Sequence, residues 1–254
     1  MKKLFLSVLL SAILVAGCKQ KADEPTFKQV PTATADQNTQ AVPVIKSNAP
    51  ADPAKLVSSW SGMFGPNKIT VIVDEVKGGA VKGRSVVAGN DRPFTGTVSQ
   101  DSEGCHFELK EPGDNQYDGA YAFVTNCDEP TRIDGQWNPF KRGLAAKSFK
   151  LNQRTFRYDP NAGDYAIASK QIMKEDQMSE YDPETLRIMR NEIYARHGYN
   201  FKTKDMRAYF DNQDWYMPFN HDVRGLLTPI EKKNEALIKH FEKYAAEYYD
   251  GYGR

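Results

Sequence analysis

Cysteine and histidine are scarce, at three and four in 254 residues, which leaves little material for a transition-metal centre. There is no CxxC pair, no HExxH pattern at His221-Asp222, and no glycine-rich loop of the phosphate-cradling kind. No metal, no cofactor and no catalytic residue is therefore expected. Asp114 and Asp118 share one loop without the EF-hand spacing. An excess of one charge is missing too: 34 lysines and arginines are interleaved with 33 acids, giving a formal charge of +1. Proteins that grip a phosphate backbone concentrate their cations, so nucleic acid is not an expected partner. The apolar run over residues 4–16 has 13 residues, too few for the roughly 20 that a membrane-crossing helix needs.

What is there begins with an export signal. Lys2 and Lys3, the short apolar run, and the small residues of Val15-Ala16-Gly17-Cys18 form a secretory signal that is removed. The ending resembles the lipobox of bacterial lipoproteins. That resemblance implies that residues 1–17 are cleaved, that Cys18 is lipidated and becomes the first mature residue, and that the partner at this end is a membrane. Lys19 and Gln20, where an aspartate would favour the inner membrane, imply the outer membrane facing the periplasm, or the cell surface. Cleavage would leave 237 residues and remove two lysines and no acid, moving the formal charge to −1. Residues 18–54 are rich in Ala, Pro, Thr and Gln and carry one aromatic. They lack the apolar surface that repays ordering, and read as a tether reaching about 120 Å when stretched and about 35 Å when relaxed.

Residues 55–168 carry a β signal. Ile69, Val71 and Val73 alternate with Thr70, Ile72 and Asp74; Val81, Gly83, Ser85 and Val87 share one parity, as do Phe94, Gly96 and Val98. Lys77-Gly78-Gly79 and Gly89-Asn90-Asp91 mark turns. In an exported chain Cys105 and Cys127 read as a disulfide, and facing them directly puts Phe107 opposite Thr125 and Leu109 opposite Phe123. Residues 111–119 form the loop of that hairpin. Further strands are expected over 132–137, 146–151 and 153–158. Seven or eight short strands leave no room for crossover helices, so an antiparallel barrel, or failing that a sandwich, is expected. Trp60-Ser61-Gly62 and Gly135-Gln136-Trp137 loosely resemble small calycin-like barrels, which implies a ligand cavity; the simpler expectation is a filled core.

From residue 178 to 250 the pattern is helical. Asp182-Pro183-Glu184 starts one helix, whose inner face carries Leu186, Met189, Ile193 and His197 and which Gly198 ends. A second begins at Thr203 with Met206, Tyr209 and Phe210. A third begins at the capping box of Thr228-Pro229-Ile230-Glu231 and continues with Leu237, Ile238, Phe241, Ala245 and Tyr248. The fold class is α+β multidomain, with the β domain followed by a small three-helix domain. Tyr194-Ala195-Arg196-His197-Gly198, with Phe201, Tyr209-Phe210, Trp215-Tyr216 and the late capping box, resembles the bacterial YARHG domain over about residues 178–245. Members of that family are presumed extracytoplasmic, and no activity is established for them.

The candidate binding residues are Arg196, His197, Trp215 and Tyr216. Glu192 and Arg196 lie four apart and read first as an intrahelical ion pair, His197 as a donor to a terminal carbonyl of its helix, and the aromatics as core. The function expected is a tethered binding or interaction module with an envelope protein or peptidoglycan as partner. An inhibitor of a wall-degrading enzyme presenting the 112–119 loop is one alternative. A hydrolase with carboxylates from distant strands is another, which sequence spacing does not support.

Overall fold

The computed structural model describes residues 51–248. Cys18, the expected export signal and most of the expected tether lie outside them. Asp52 accepts a hydrogen bond from the Ala54 N–H at 3.0 Å and so starts a single helical turn, α1 (Pro53–Leu56). Eight strands follow: β1 (Ser59–Phe64), β2 (Asn67–Lys77), β3 (Ala80–Val87), β4 (Asn90–Gln100), β5 (Cys105–Lys110), β6 (Gly119–Thr125), β7 (Arg132–Pro139) and β8 (Lys147–Gln153). Each pairs antiparallel with the next, and β8 returns to β1 through Trp60 with Gln153 and Ser61 with Asn152. The sheet is a closed barrel. Gly78 and Gly79, at φ 56° and 80°, make the two-residue turn between β2 and β3 that the strand twist favours.

The interior follows the parity of the sequence. Ile69, Val71 and Val73 point inward with Val81, Phe94, Phe107, Leu109, Phe123, Phe149 and Leu151, and Trp60 among them is fully buried. Phe107 and Phe123 stack with centroids 4.7 Å apart. Leu56 of α1 and the Cys105–Cys127 bridge belong to the same cluster, at the end of the barrel where β1 and β5 begin. There the Trp60 indole donates to the Pro130 carbonyl at 2.6 Å. Strands also approach closely: a side chain at Gly96 would bring its Cβ within 1.9 Å of the Glu108 carbonyl oxygen.

Two expectations change. Cys105 lies opposite Thr125 and Phe107 opposite Phe123, two residues away from the direct cysteine pairing. The inward face is the same, because a shift of two preserves parity. β6 stops at Thr125, and the Asn126 side chain accepts from the N–H groups of Asp128 and Glu129 at 2.8 and 3.1 Å. This turn carries Cys127 back towards Cys105, with 5.2 Å between their Cα atoms. Residues 154–159 form no strand, because β8 already pairs with β1 and leaves no edge for a ninth.

The helical part contains α2 (Ile167–Lys170), α3 (Glu175–Met178), α4 (Pro183–Arg196), α5 (Lys204–Phe210) and α6 (Pro229–Tyr248). The last three are the expected helices. Asp182 caps α4 through the Glu184 and Thr185 N–H groups, Gly198 follows its end at φ 73°, and Thr228 and Glu231 form the reciprocal capping box of α6. α2 and α3 are single turns, too short to show a period.

β2 is buried on both sides, since Lys68, Thr70 and Ile72 are enclosed as well as the core face. The helical part docks here. Lys68 Nζ donates to the carbonyls of Gln213 and Tyr216, Arg84 to that of Phe219, and Arg154 to those of Trp215 and Tyr216. Asn200 accepts from the Gly89 N–H and donates to the Asn90 carbonyl, both at 2.8 Å, so it grips the turn between β3 and β4.

Candidate functional site

At the end opposite α1 the barrel is open. The inward parity of the strands runs on to their tips, where the core side chains give way to a cavity of about 640 Å³, within the range of small-molecule sites of roughly 300–1,000 Å³. Phe64, Val87, Tyr121, Trp137 and Leu144 supply its apolar wall. Phe64 and Trp137 meet edge to face at 5.8 Å. The expectation of a completely filled interior therefore holds for the middle of the barrel and not for this mouth, where the inward positions of β4, β5 and β8 pass to Arg92, Glu111 and Lys147.

Polar groups enter this wall at defined points. Glu111 keeps the inward parity of Cys105, Phe107 and Leu109, so it points into the barrel rather than out with the loop. Its carboxylate accepts from Ser85 Oγ at 2.9 Å, from the Gly119 N–H at 2.7 Å and from Trp137 Nε1 at 3.4 Å. Burial pushes its protonation above the ordinary carboxylate range, and these bonds only partly oppose that. Asp118 is also buried, but there the bonds win: Arg92 and the N–H groups of Gly113 and Asn115 outweigh burial and hold it low. Arg92 joins Asp118 to Asp114 and so braces the 112–119 loop, which presents Tyr117 at 61% exposure beside the opening.

Lys147 shares the inward parity of Phe149 and Leu151. Its ammonium lies 4.7 Å from the Phe64 ring centre and 5.5 Å from that of Trp137. Across the rim, Arg207 comes from α5 of the helical part and donates from Nε to Asn67 Oδ1 at 3.1 Å. Among the described residues neither cation forms an ion pair. Parity extended to the strand tips would have found Arg92, Glu111 and Lys147 from sequence; nothing in the spacing points to Arg207.

The residues expected to bind sit elsewhere and mostly inside. Arg196 is 2% exposed and donates to Glu192 at 2.6 Å, to the Ala162 carbonyl at 2.7 Å and to Ser169 Oγ at 3.0 Å. Glu192 also accepts from the N–H groups of Asp164 and Tyr165, so the pair is intrahelical, as its spacing indicates, and additionally anchors the segment ahead of α2. His197 turns to a carboxylate rather than to a terminal carbonyl: its Nε2 lies 2.8 Å from Glu231 Oε2, with the Tyr158 ring stacked on it at 4.5 Å. Burial raises Glu231, but hydrogen bonds from His197, Ser169 and the Thr228 N–H bring it down to about 2. Ser169 gives its proton to Glu231 and not to His197, so no nucleophile and base are aligned in this cluster. Tyr216 is buried, its hydroxyl donating to the Tyr199 carbonyl at 2.7 Å. Trp215 alone is partly exposed, and with Arg154 and Arg196 it borders a cavity of about 240 Å³. The structure brings Arg196, Trp215 and Met217 around that small space and keeps His197 apart in the Glu231 network.

Contacts from Glu192, Glu231 and Asn220 close around the pentapeptide at 194–198. Residues 164–245 match the YARHG domain. The YARHG domain thus begins 14 residues ahead of the expected boundary at 178, at the Asp164 and Tyr165 amides that Glu192 holds, and takes in α2 and α3. No curated protein and no solved structure matches the chain. Among the described residues no helix is long and apolar enough to cross a membrane, and no cluster of three or more His, Cys, Asp or Glu side chains is arranged to hold a metal ion.

Proposed function

We propose that the chain is a lipid-anchored binding protein of the bacterial envelope that takes a small, largely apolar ligand into the mouth of its barrel. The observation that carries this reading is the cavity itself: an open, aromatic-walled space with a few placed polar groups, on an otherwise filled barrel. The lipobox-like ending at Cys18 and the tether over 18–54 supply the address, attachment to a membrane and reach towards its surroundings. The YARHG domain braces one side of the mouth through Asn200 and Arg207. A small molecule of the envelope is the partner in this reading, ahead of peptidoglycan or a second protein.

Titration with 1-aminoanthracene, an uncharged fluorescent apolar probe, tests it. One probe should bind per chain, and Val87→Trp, which fills the cavity, should abolish binding while leaving the circular dichroism spectrum in place. No binding, or binding untouched by that substitution in a folded variant, contradicts the reading. The address is tested by intact mass: loss of residues 1–17 and acylation at Cys18 are expected, and retention of the leader contradicts it.

One observation favours a second reading. The 112–119 loop is rigidly held through Asp118 and offers Tyr117 outward, as an enzyme inhibitor would present a loop to an active site. Inhibition of a muramidase that is lost in Tyr117→Ala would support it.

A further inference from the structure

The geometry points to a head-group site at the rim of the barrel mouth, in which Lys147 of β8 and Arg207 of the YARHG domain together receive the anionic head of a single-chain amphiphile. This inference deepens the reading just given and rests on it. Charge accounting at the mouth carries it. Three cations line the cavity, Arg92, Lys147 and Arg207, with two acids, Glu111 and Asp118. Arg92 is committed to Asp118 and Asp114. Glu111 is committed to Ser85, Gly119 and Trp137 and lies below the rim, 5% exposed. Among the described residues, Lys147 has aromatic faces beneath it and no ion pair, and Arg207 hydrogen-bonds the Asn67 amide oxygen and the Lys202 carbonyl. Asp211, at the end of the same helix, is buried; it acts on Arg207 through space and makes no ion-pair contact with it. Among the described residues, two half-buried cations therefore face one opening without an ion-pair partner, directly above an apolar wall.

That combination selects a ligand by both of its ends. The apolar body displaces water from Phe64, Val87, Tyr121 and Trp137, and the head pairs with the two cations that make no ion-pair contact of their own among the described residues. It disfavours a cationic amphiphile, since every carboxylate at the mouth already has its donors. It also gives the YARHG domain a part in recognition beyond bracing, because one of the two head-group ligands comes from α5. Carboxylate and phosphate heads share the required chemistry.

Equilibrium titration of the full chain with 1-decanol, decanoate and decyl phosphate, each below its aggregation threshold and followed by tryptophan fluorescence, tests this. At least one of the two anions should bind roughly tenfold or more tightly than the alcohol, and the tighter of the two names the head. Lys147→Gln and Arg207→Gln should each reduce that preference of anion over alcohol and together remove it. Lys147→Arg and Arg207→Lys, which keep the charge, should retain it. Equal binding of all three ligands, or a preference that survives the double substitution, overturns the head-group site and leaves the apolar pocket standing. Failure of every ligand to bind removes both.

Discussion

Two buried glutamates in this molecule titrate in opposite directions, and the difference lies in their donors. Glu231 has His197, Ser169 and a backbone N–H, and is brought down to about 2. A carboxyl lowered in this way stabilises the fold above its unfolded value of 4.5, and the contribution is lost as pH falls from there through about 2. Glu231→Gln should cost about 3 kcal/mol at pH 7 and flatten the acid limb in urea unfolding followed across pH. Glu111 has neutral donors only, and burial leaves it raised. Its ionisation weakens the fold as pH rises above 4.5, so Glu111→Gln should be neutral or stabilising at pH 7 and without effect at pH 3. A loss of stability at pH 7 larger than at pH 3 would contradict that sign.

Strands and helices show how far the sequence could be read, and where reading stopped. The turn glycines at 78 and 79, the Asp182 cap, the Thr228–Glu231 capping box and the alternation of Ile69, Val71 and Val73 are local signals, and the structure keeps each of them. The hairpin of β5 and β6 was legible in its face and not in its register, because the turn at Asn126 moves Cys127 out of the ladder, and a cysteine pair does not reveal whether both members lie in strands. Ile72 on the opposite parity to Ile69 carried a further signal: apolar residues on both faces mark a strand covered twice, here with the YARHG domain docked on its outer side. Arg196 and Tyr216 were visible as an ion-pair member and an aromatic, but only three-dimensional packing shows that their partners enclose them. The Cys105–Cys127 bridge closes a loop with a sequence separation of 22. Replacing both cysteines with serine should therefore lower stability by about 3 kcal/mol, measured by denaturant unfolding; a change under 1 kcal/mol would show that the hairpin holds its register without the bridge.

At the scale of the whole molecule, the barrel and the YARHG domain share polar contacts that are costly to leave unmade. Lys68, Arg84 and Arg154 all end on carbonyls of the 213–219 segment, and Asn200 satisfies both an N–H and a carbonyl of the β3–β4 turn. Asn200→Ala would leave the Gly89 N–H without its acceptor, at a cost of about 1–3 kcal/mol. Thermal unfolding of the wild-type chain should show one transition, and the variant should shift it downward; two separate transitions in the wild type would mean that the halves do not stabilise each other. The same docking places Arg207 at the barrel mouth, so the site belongs to the assembled molecule rather than to either half.

The claim that a ligand enters that mouth can be read directly from the three tryptophan indoles, which stand at three places. Trp60 lies at the filled end, Trp137 in the wall of the open mouth and Trp215 beside the smaller cavity near Arg196. In proton–nitrogen NMR spectra recorded during titration with decanoate, the indole resonance of Trp137 should move while those of Trp60 and Trp215 stay in place. Movement of Trp215 with Trp137 unchanged would contradict the account and assign the binding face to the YARHG domain instead.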